Sequence, residues 1–214
     1  MRLMLLLVIG LWACTTNPNV RVRRLGTGTL QVDGPMAGPF QKIEDLAASA
    51  CTIMTSQPGA SNGRYGFEYC ALYYYSTKDN GFFLSYLSDI RSQLDTQDIK
   101  SCVIPTALSD PSHEDAILLG GAHTHPHNRK FSPKDMSTAA HWNPTRFADK
   151  ITGKIWDRTL LVFFQEGNGA CSVYGYNNST RIVSALRDGS WVAIGRAYNE
   201  DGDLGLFTGK DWTP

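Results

Sequence analysis

The chain has 214 residues, and its 20 basic and 20 acidic side chains cancel to a formal net charge of zero. That balance gives no electrostatic case for nucleic acid as a partner. The apolar fraction of 42% supports one domain with a real core, and 20 glycines with many aromatics favour strands and turns over a helical bundle.

Met1 to Cys14 reads as an export signal, with Arg2 as the positive end, Leu3 to Trp12 as the apolar core and Ala13 as the small residue before cleavage. The segment is too short to span a bilayer comfortably. Leu11-Trp12-Ala13-Cys14 resembles a bacterial lipobox. That likeness implies removal of residues 1–13, lipidation of Cys14 and a membrane anchor, and Thr15 after the cysteine implies an outer-membrane lipoprotein facing the periplasm. An uncleaved anchor is the competing reading. Residues 14–35 are polar, with Asn17-Pro18-Asn19 and Arg21, Arg23 and Arg24, and read as a tether closing in a strand over Thr29 to Val32.

The folded domain is expected over residues 36–198. Pro39 to about Met54 predicts a helix with Ile43, Leu46, Ala47 and Cys51 on one face. Ser56 to Gly63 is a loop, and Tyr65 to Tyr75 is the strongest strand candidate. Asp79-Asn80-Gly81 then predicts a hairpin turn, with Phe82 to Leu87 as the returning strand. Glu68 is out of place in an aromatic strand. A carboxylate among apolar neighbours has a raised pKa suited to acid–base work, whereas on an edge strand it is merely a solvated acid. Pattern alone leaves both open. Ser88 to Asp98 reads as a short helix or loop, Cys102 to Ile104 as a brief strand, and Asp110-Pro111-Ser112-His113 as a turn that leaves His113 at the surface.

Ala116 to Ala122 is a short continuous apolar run, as in a buried strand, and His123-Thr124-His125-Pro126 follows where it ends. Residues i and i+2 of a strand share a face, so His123 and His125 can converge. Ser132-Pro133-Lys134-Asp135 has the order of a helix start: serine at the N-cap, proline at N1, an acid at N3. As a cap alone it is worth about 1 kcal/mol. Two imidazoles and a carboxylate held this close also suit a zinc site that keeps one position for water. His127 reads as a loop histidine, with a substrate contact as the alternative.

Beyond the motif, Met136 to Trp142 continues the helix, Thr159 to Phe164 is a buried strand, and Ala170 to Tyr176 returns across a Gly167-Asn168-Gly169 turn. Trp191 to Ile194 reads as a last strand and Asn199 to Pro214 as a tail. With Cys14 set aside, Cys51, Cys70, Cys102 and Cys171 fit disulfides in an oxidising compartment, and four cysteines allow three pairings.

The stretch from Glu68 to Asp135 resembles the JAMM (JAB/MPN+) metallopeptidase motif: an upstream glutamate, His-x-His-Pro, then Ser-x-x-Asp. It departs by one residue, with six positions between His125 and Ser132 where the family has seven. The resemblance implies an α+β fold, a JAMM/cytidine-deaminase-like mixed sheet flanked by helices, with zinc at the end of a central strand. It implies one zinc per chain on His123, His125 and Asp135, Glu68 as general base and acid, and Ser132 as oxyanion donor, with Glu114 the second choice of acid. The implied activity is hydrolysis of amide, peptide or isopeptide bonds in a peptide, protein or peptidoglycan peptide. A non-catalytic binding lipoprotein on the same fold is the rival expectation.

Overall fold

The structure, a computed structural model, describes residues 16–91, 96, 99–136, 146–148 and 155–214. The expected signal peptide, the Cys14 lipidation site, most of the Ser88–Asp98 segment and the helix beyond Met136 lie outside the described residues. Among the described residues no helix is long and apolar enough to cross a membrane.

The chain runs β1 (Val22–Arg24), β2 (Leu30–Asp33), β3 (Ala37–Phe40), α1 (Ile43–Thr55), a 3-10 turn (Gly63–Tyr65), β4 (Cys70–Ser76), β5 (Gly81–Leu84), β6 (Ala107–Ser109) and β7 (Ile117–Thr124). It continues through a single-turn helix α2 (Pro133–Met136), β8 (Arg146–Ala148), β9 (Ile155–Asp157), β10 (Thr159–Gln165), β11 (Cys171–Asn177), β12 (Ile182–Arg187), β13 (Ser190–Ala197) and β14 (Leu204–Leu206). Nine strands form one sheet in the order β14-β13-β12-β11-β10-β7-β4-β5-β3. Its pairings are antiparallel except β7 with β10, which is parallel. The stretch read as a tether carries β1 and β2, which join β6 in a three-stranded sheet where Val32 is fully buried.

The expected α+β fold with flanking helices is not what forms. Strand accounts for 41% of the structure and helix for 11%. The reason lies in how the two faces of the large sheet are covered. Neighbouring residues of β10 point to opposite sides, so Leu161 and Phe163 join one core and Leu160 and Val162 another. On the first face α1 supplies Leu46, Ala47, Ala50, Cys51 and Met54, matching the predicted stripe. On the second face no described helix longer than a turn is packed. Phe131 just before α2 and Met136 at its end, together with Trp212 near the chain end, close that core against Tyr174, Tyr176 and Val183. Gly202, at φ 86°, lets the terminal segment pass this close: a Cβ there would sit 2.5 Å from the Pro133 carbonyl oxygen.

Several boundaries moved. Pro39 belongs to β3, so α1 starts at Ile43. The aromatic strand starts at Cys70, which leaves Glu68 in irregular chain just before it. Cys102 makes only an isolated bridge to Arg91. Strands β12 and β14 were not foreseen, and β14 adds the supposed tail to the edge of the sheet. The cysteines choose one of the three pairings: Cys51–Cys171 joins α1 to β11, and Cys70–Cys102 joins the start of β4 to the segment before β6.

Candidate metal centre

His123 is in the last turn of the β7 ladder, paired with Cys70 of β4 on one side and Val162 of β10 on the other. Directly paired residues share a face, so its imidazole projects with Val162 onto the second face, where the 131–136 segment packs. His125 lies just past the strand, with its N–H bonded to the Phe163 carbonyl at 2.8 Å, which prolongs the extended geometry. The rings converge as the i, i+2 spacing predicts: Nε2 of His123 is 3.0 Å from Nε2 of His125. Both residues are buried.

Two carboxylates complete the cluster. Asp135 Oδ1 is 3.5 Å from His123 Nε2, and its Oδ2 is 3.7 Å from His125 Nε2. Glu68 Oε1 is also 3.7 Å from His125 Nε2. Glu68 is 6% exposed, so it is no solvated edge acid. Its backbone is fixed through the residue between the histidines: Tyr69 N–H donates to Thr124 Oγ1 at 2.9 Å, and Thr124 N–H donates to the Tyr69 carbonyl at 3.0 Å. Gly66 allows the approach, because a Cβ there would come within 2.6 Å of Pro126 Cβ. The carboxylate itself is oriented by Cys102 N–H, which donates to Oε2 at 3.1 Å.

Ser132 and Asp135 cap α2 reciprocally. Asp135 N–H donates to Ser132 Oγ at 3.2 Å, while Ser132 N–H and Oγ–H donate to Asp135 Oδ2 at 2.8 and 2.7 Å. The cap and the cation reading are therefore one arrangement, and it aims the Asp135 carboxylate at the histidines. The Ser132 hydroxyl is turned to Asp135. His127 is exposed on the loop, and Glu114 is exposed and away from the cluster.

The electrostatics of Asp135 and His125 suit a cation, whereas those of His123 favour its protonated form while no ion is bound. Burial opposes ionisation of Asp135, but the two imidazoles and the Ser132 hydroxyl outweigh it and hold its carboxyl well below the usual range. Burial, with His123 alongside, pushes His125 down to about 4, so its lone pair is free at neutral pH. Burial also works against charge on His123, yet Asp135 and Glu68 raise its pKa on balance. Ligand atoms around a tetrahedral ion with bonds of about 2.0–2.1 Å are about 3.3–3.4 Å apart. The Nε2–Nε2 separation of 3.0 Å, and the 3.5 and 3.7 Å from the two different oxygens of Asp135, fall on either side of that value. Nε2 of each imidazole is the ring atom that faces the other histidine and the carboxylates. Glu68, His123 and His125 form a buried group able to hold a metal ion.

Two polar clusters escaped the sequence reading. Arg129, midway along the loop from His125 to Ser132, makes a two-pronged ion pair with Glu166, which also accepts from Ser172 Oγ. His113, expected at the surface, is buried: Nδ1 is 2.6 Å from Asp110 and Nε2 2.7 Å from Asp79. Its neighbours in sequence look like a turn, and nothing local signals that Tyr74 and Phe83 roof it over. Compared with family models, curated proteins and solved structures, the chain gives no significant match to any.

Proposed function

We propose that the protein is a JAMM-like zinc-dependent hydrolase of amide, peptide or isopeptide bonds. The reading includes export and anchoring through Cys14 to the outer membrane, facing the periplasm, with a peptidoglycan peptide or a protein as substrate. The observation that carries it is the convergence of His123 Nε2, His125 Nε2 and the Asp135 carboxylate within 3.0–3.7 Å, with Glu68 beside them. The two disulfides agree with an oxidising compartment.

His123, His125 and Asp135 would hold the zinc, a set of two imidazoles and one carboxylate common in catalytic zinc sites. Zinc there supplies Lewis acidity and lowers the pKa of a water from near 16 to about 7. Glu68 Oε1 takes the proton of the attacking water and returns it to the leaving amine. Ser132 Oγ–H turns from Asp135 to donate to the carbonyl oxygen as charge builds there, an interaction whose loss costs about 100- to 1,000-fold in rate. His127, exposed on the loop, would make a substrate contact in this reading.

The second reading is a binding module with a closed four-ligand site. It is favoured by the 3.7 Å separation of Glu68 Oε1 from His125 Nε2, the same as that of Asp135 Oδ2. Elemental analysis of purified protein, with hydrolysis assays on peptidoglycan stem peptides, separates the two. In the catalyst, Glu68→Gln still binds a zinc, though more weakly, and loses turnover. In the closed site the variant loses the zinc and there is no turnover to lose. Native protein devoid of zinc after loading sinks both.

A further inference from the structure

We infer that the Cys70–Cys102 disulfide is a positioning element of the metal centre, acting through Glu68; the inference rests on reading that centre as a zinc site. Cys70 is the cross-strand neighbour of His123 in the β4–β7 ladder, so one end of the crosslink is embedded in the strand pair that presents the first imidazole. The other end, Cys102, donates its N–H to Glu68 Oε2 at 3.1 Å. The two Cα atoms are 5.8 Å apart. Glu68 precedes Cys70 by two residues, outside the ladder. Its backbone is held by Thr124, but that bond does not choose where the carboxylate points.

Among the described residues the chain around Cys102 is also held by the bridge between Arg91 and Cys102, by Val103 N–H to the Ile90 carbonyl at 2.8 Å, and further on by Thr106 N–H to the Leu30 carbonyl at 3.1 Å. The disulfide adds a covalent tie that keeps the Cys102 amide against Oε2, with Oε1 facing His125. The Cys51–Cys171 bridge, between α1 and β11 at a sequence separation of 120, has no such contact with the centre among the described residues and serves as the control.

The test is a cycle of four full-length proteins: native, Cys70→Ser/Cys102→Ser, Glu68→Gln, and the three substitutions together. Zinc affinity is read by competition with a chelating dye. Loss of a partner that orients a side chain of a metal centre changes metal affinity or activity by about 10- to 100-fold. The expected result is a loss of about tenfold or more in the disulfide variant that vanishes in the Glu68→Gln background, while Cys51→Ser/Cys171→Ser binds like native. Unchanged affinity, or an equal loss in both backgrounds, overturns the inference and leaves the zinc reading standing. Native protein that binds no zinc overturns both. A second readout needs no cysteine variant and covers a failure to fold: the Cys102 amide should be protected from hydrogen exchange in native protein and lose protection in Glu68→Ala. Exchange of the native amide at an unprotected rate overturns the inference.

Discussion

Thr124 and Tyr69 exchange two hydrogen bonds, one from each backbone N–H, and through them the chain segment bearing Glu68 is tied to the gap between the two histidines. The middle residue of the His-x-His pair thus points away from the candidate metal centre and holds the irregular segment that brings the acid. Thr124→Val keeps the shape and removes the acceptor, leaving the Tyr69 N–H buried and unpaired. A loss of about 1–3 kcal/mol in denaturant unfolding is expected, with weaker zinc binding. Stability equal to native would show that this bond does not fix the segment.

Asp135 serves the α2 cap and faces both imidazoles, and the two duties can be separated by charge. At N3 an amide oxygen can accept from the N-cap N–H as a carboxylate does, but a neutral amide oxygen is a poor partner for a divalent cation. Asp135→Asn is expected to unfold near the native midpoint while its zinc content after dialysis falls to background. Asp135→Ala should lose the zinc and about 1 kcal/mol as well. If Asp135→Asn retains zinc like native, the carboxylate is a cap and the ion lies elsewhere.

The motif residues were legible because the signal is local: an apolar run sets β7, the i, i+2 spacing sets the ring convergence, and Ser132 to Asp135 encodes its own cap. Glu68 needed more, since pattern left it undecided between a core acid and an edge acid. Its burial depends on Thr124 and Cys102, which are 56 and 34 residues away in sequence. The helical flank failed for a related reason. Residues of β10 announce that both faces of the sheet are buried, but not by what, and among the described residues the second face is closed by Phe131, by Met136 of the single-turn helix α2 and by Trp212. His113 was misread because the residues that enclose it come from β4, β5 and the hairpin turn.

His113 also sets a pH dependence. Burial opposes its charge, but Asp110 and Asp79, one on each ring nitrogen, raise its pKa above the ordinary 6.5. A raised folded pKa gives stability that is complete below 6.5 and is lost as pH rises through the folded value. Asp110 behaves in the opposite sense. Burial is outweighed by Tyr74, His113 and the Ser112 amide, which hold it below 3.8, so its contribution is present above that value and is lost as pH falls. Both contributions coexist between about pH 4 and 6.5. The stability gap between native protein and His113→Gln should be widest in that window and should narrow toward alkaline pH. A gap that widens above pH 7 would mean that the buried ring is held neutral.

The Arg129–Glu166 pair tethers the loop between His125 and Ser132. Glu166 is 9% exposed and lies at the start of the β10–β11 turn, bonded also by Ser172. Arg129→Met leaves that carboxylate without its counter-charge and should cost about 1–3 kcal/mol, since Ser172 and partial solvent access relieve part of the penalty for a broken buried pair. Replacing both partners, in Arg129→Met/Glu166→Leu, removes the orphaned charge and should recover most of that loss. Zinc affinity should not recover with it, because Asp135 is placed by a loop that has lost its mid-point anchor in the single and the double variant alike. Unfolding midpoints and zinc competition on the same preparations give both quantities. If the double variant binds zinc as tightly as native, the loop holds its course without the pair, and the reciprocal cap at Ser132 and Asp135 is sufficient to place the third ligand.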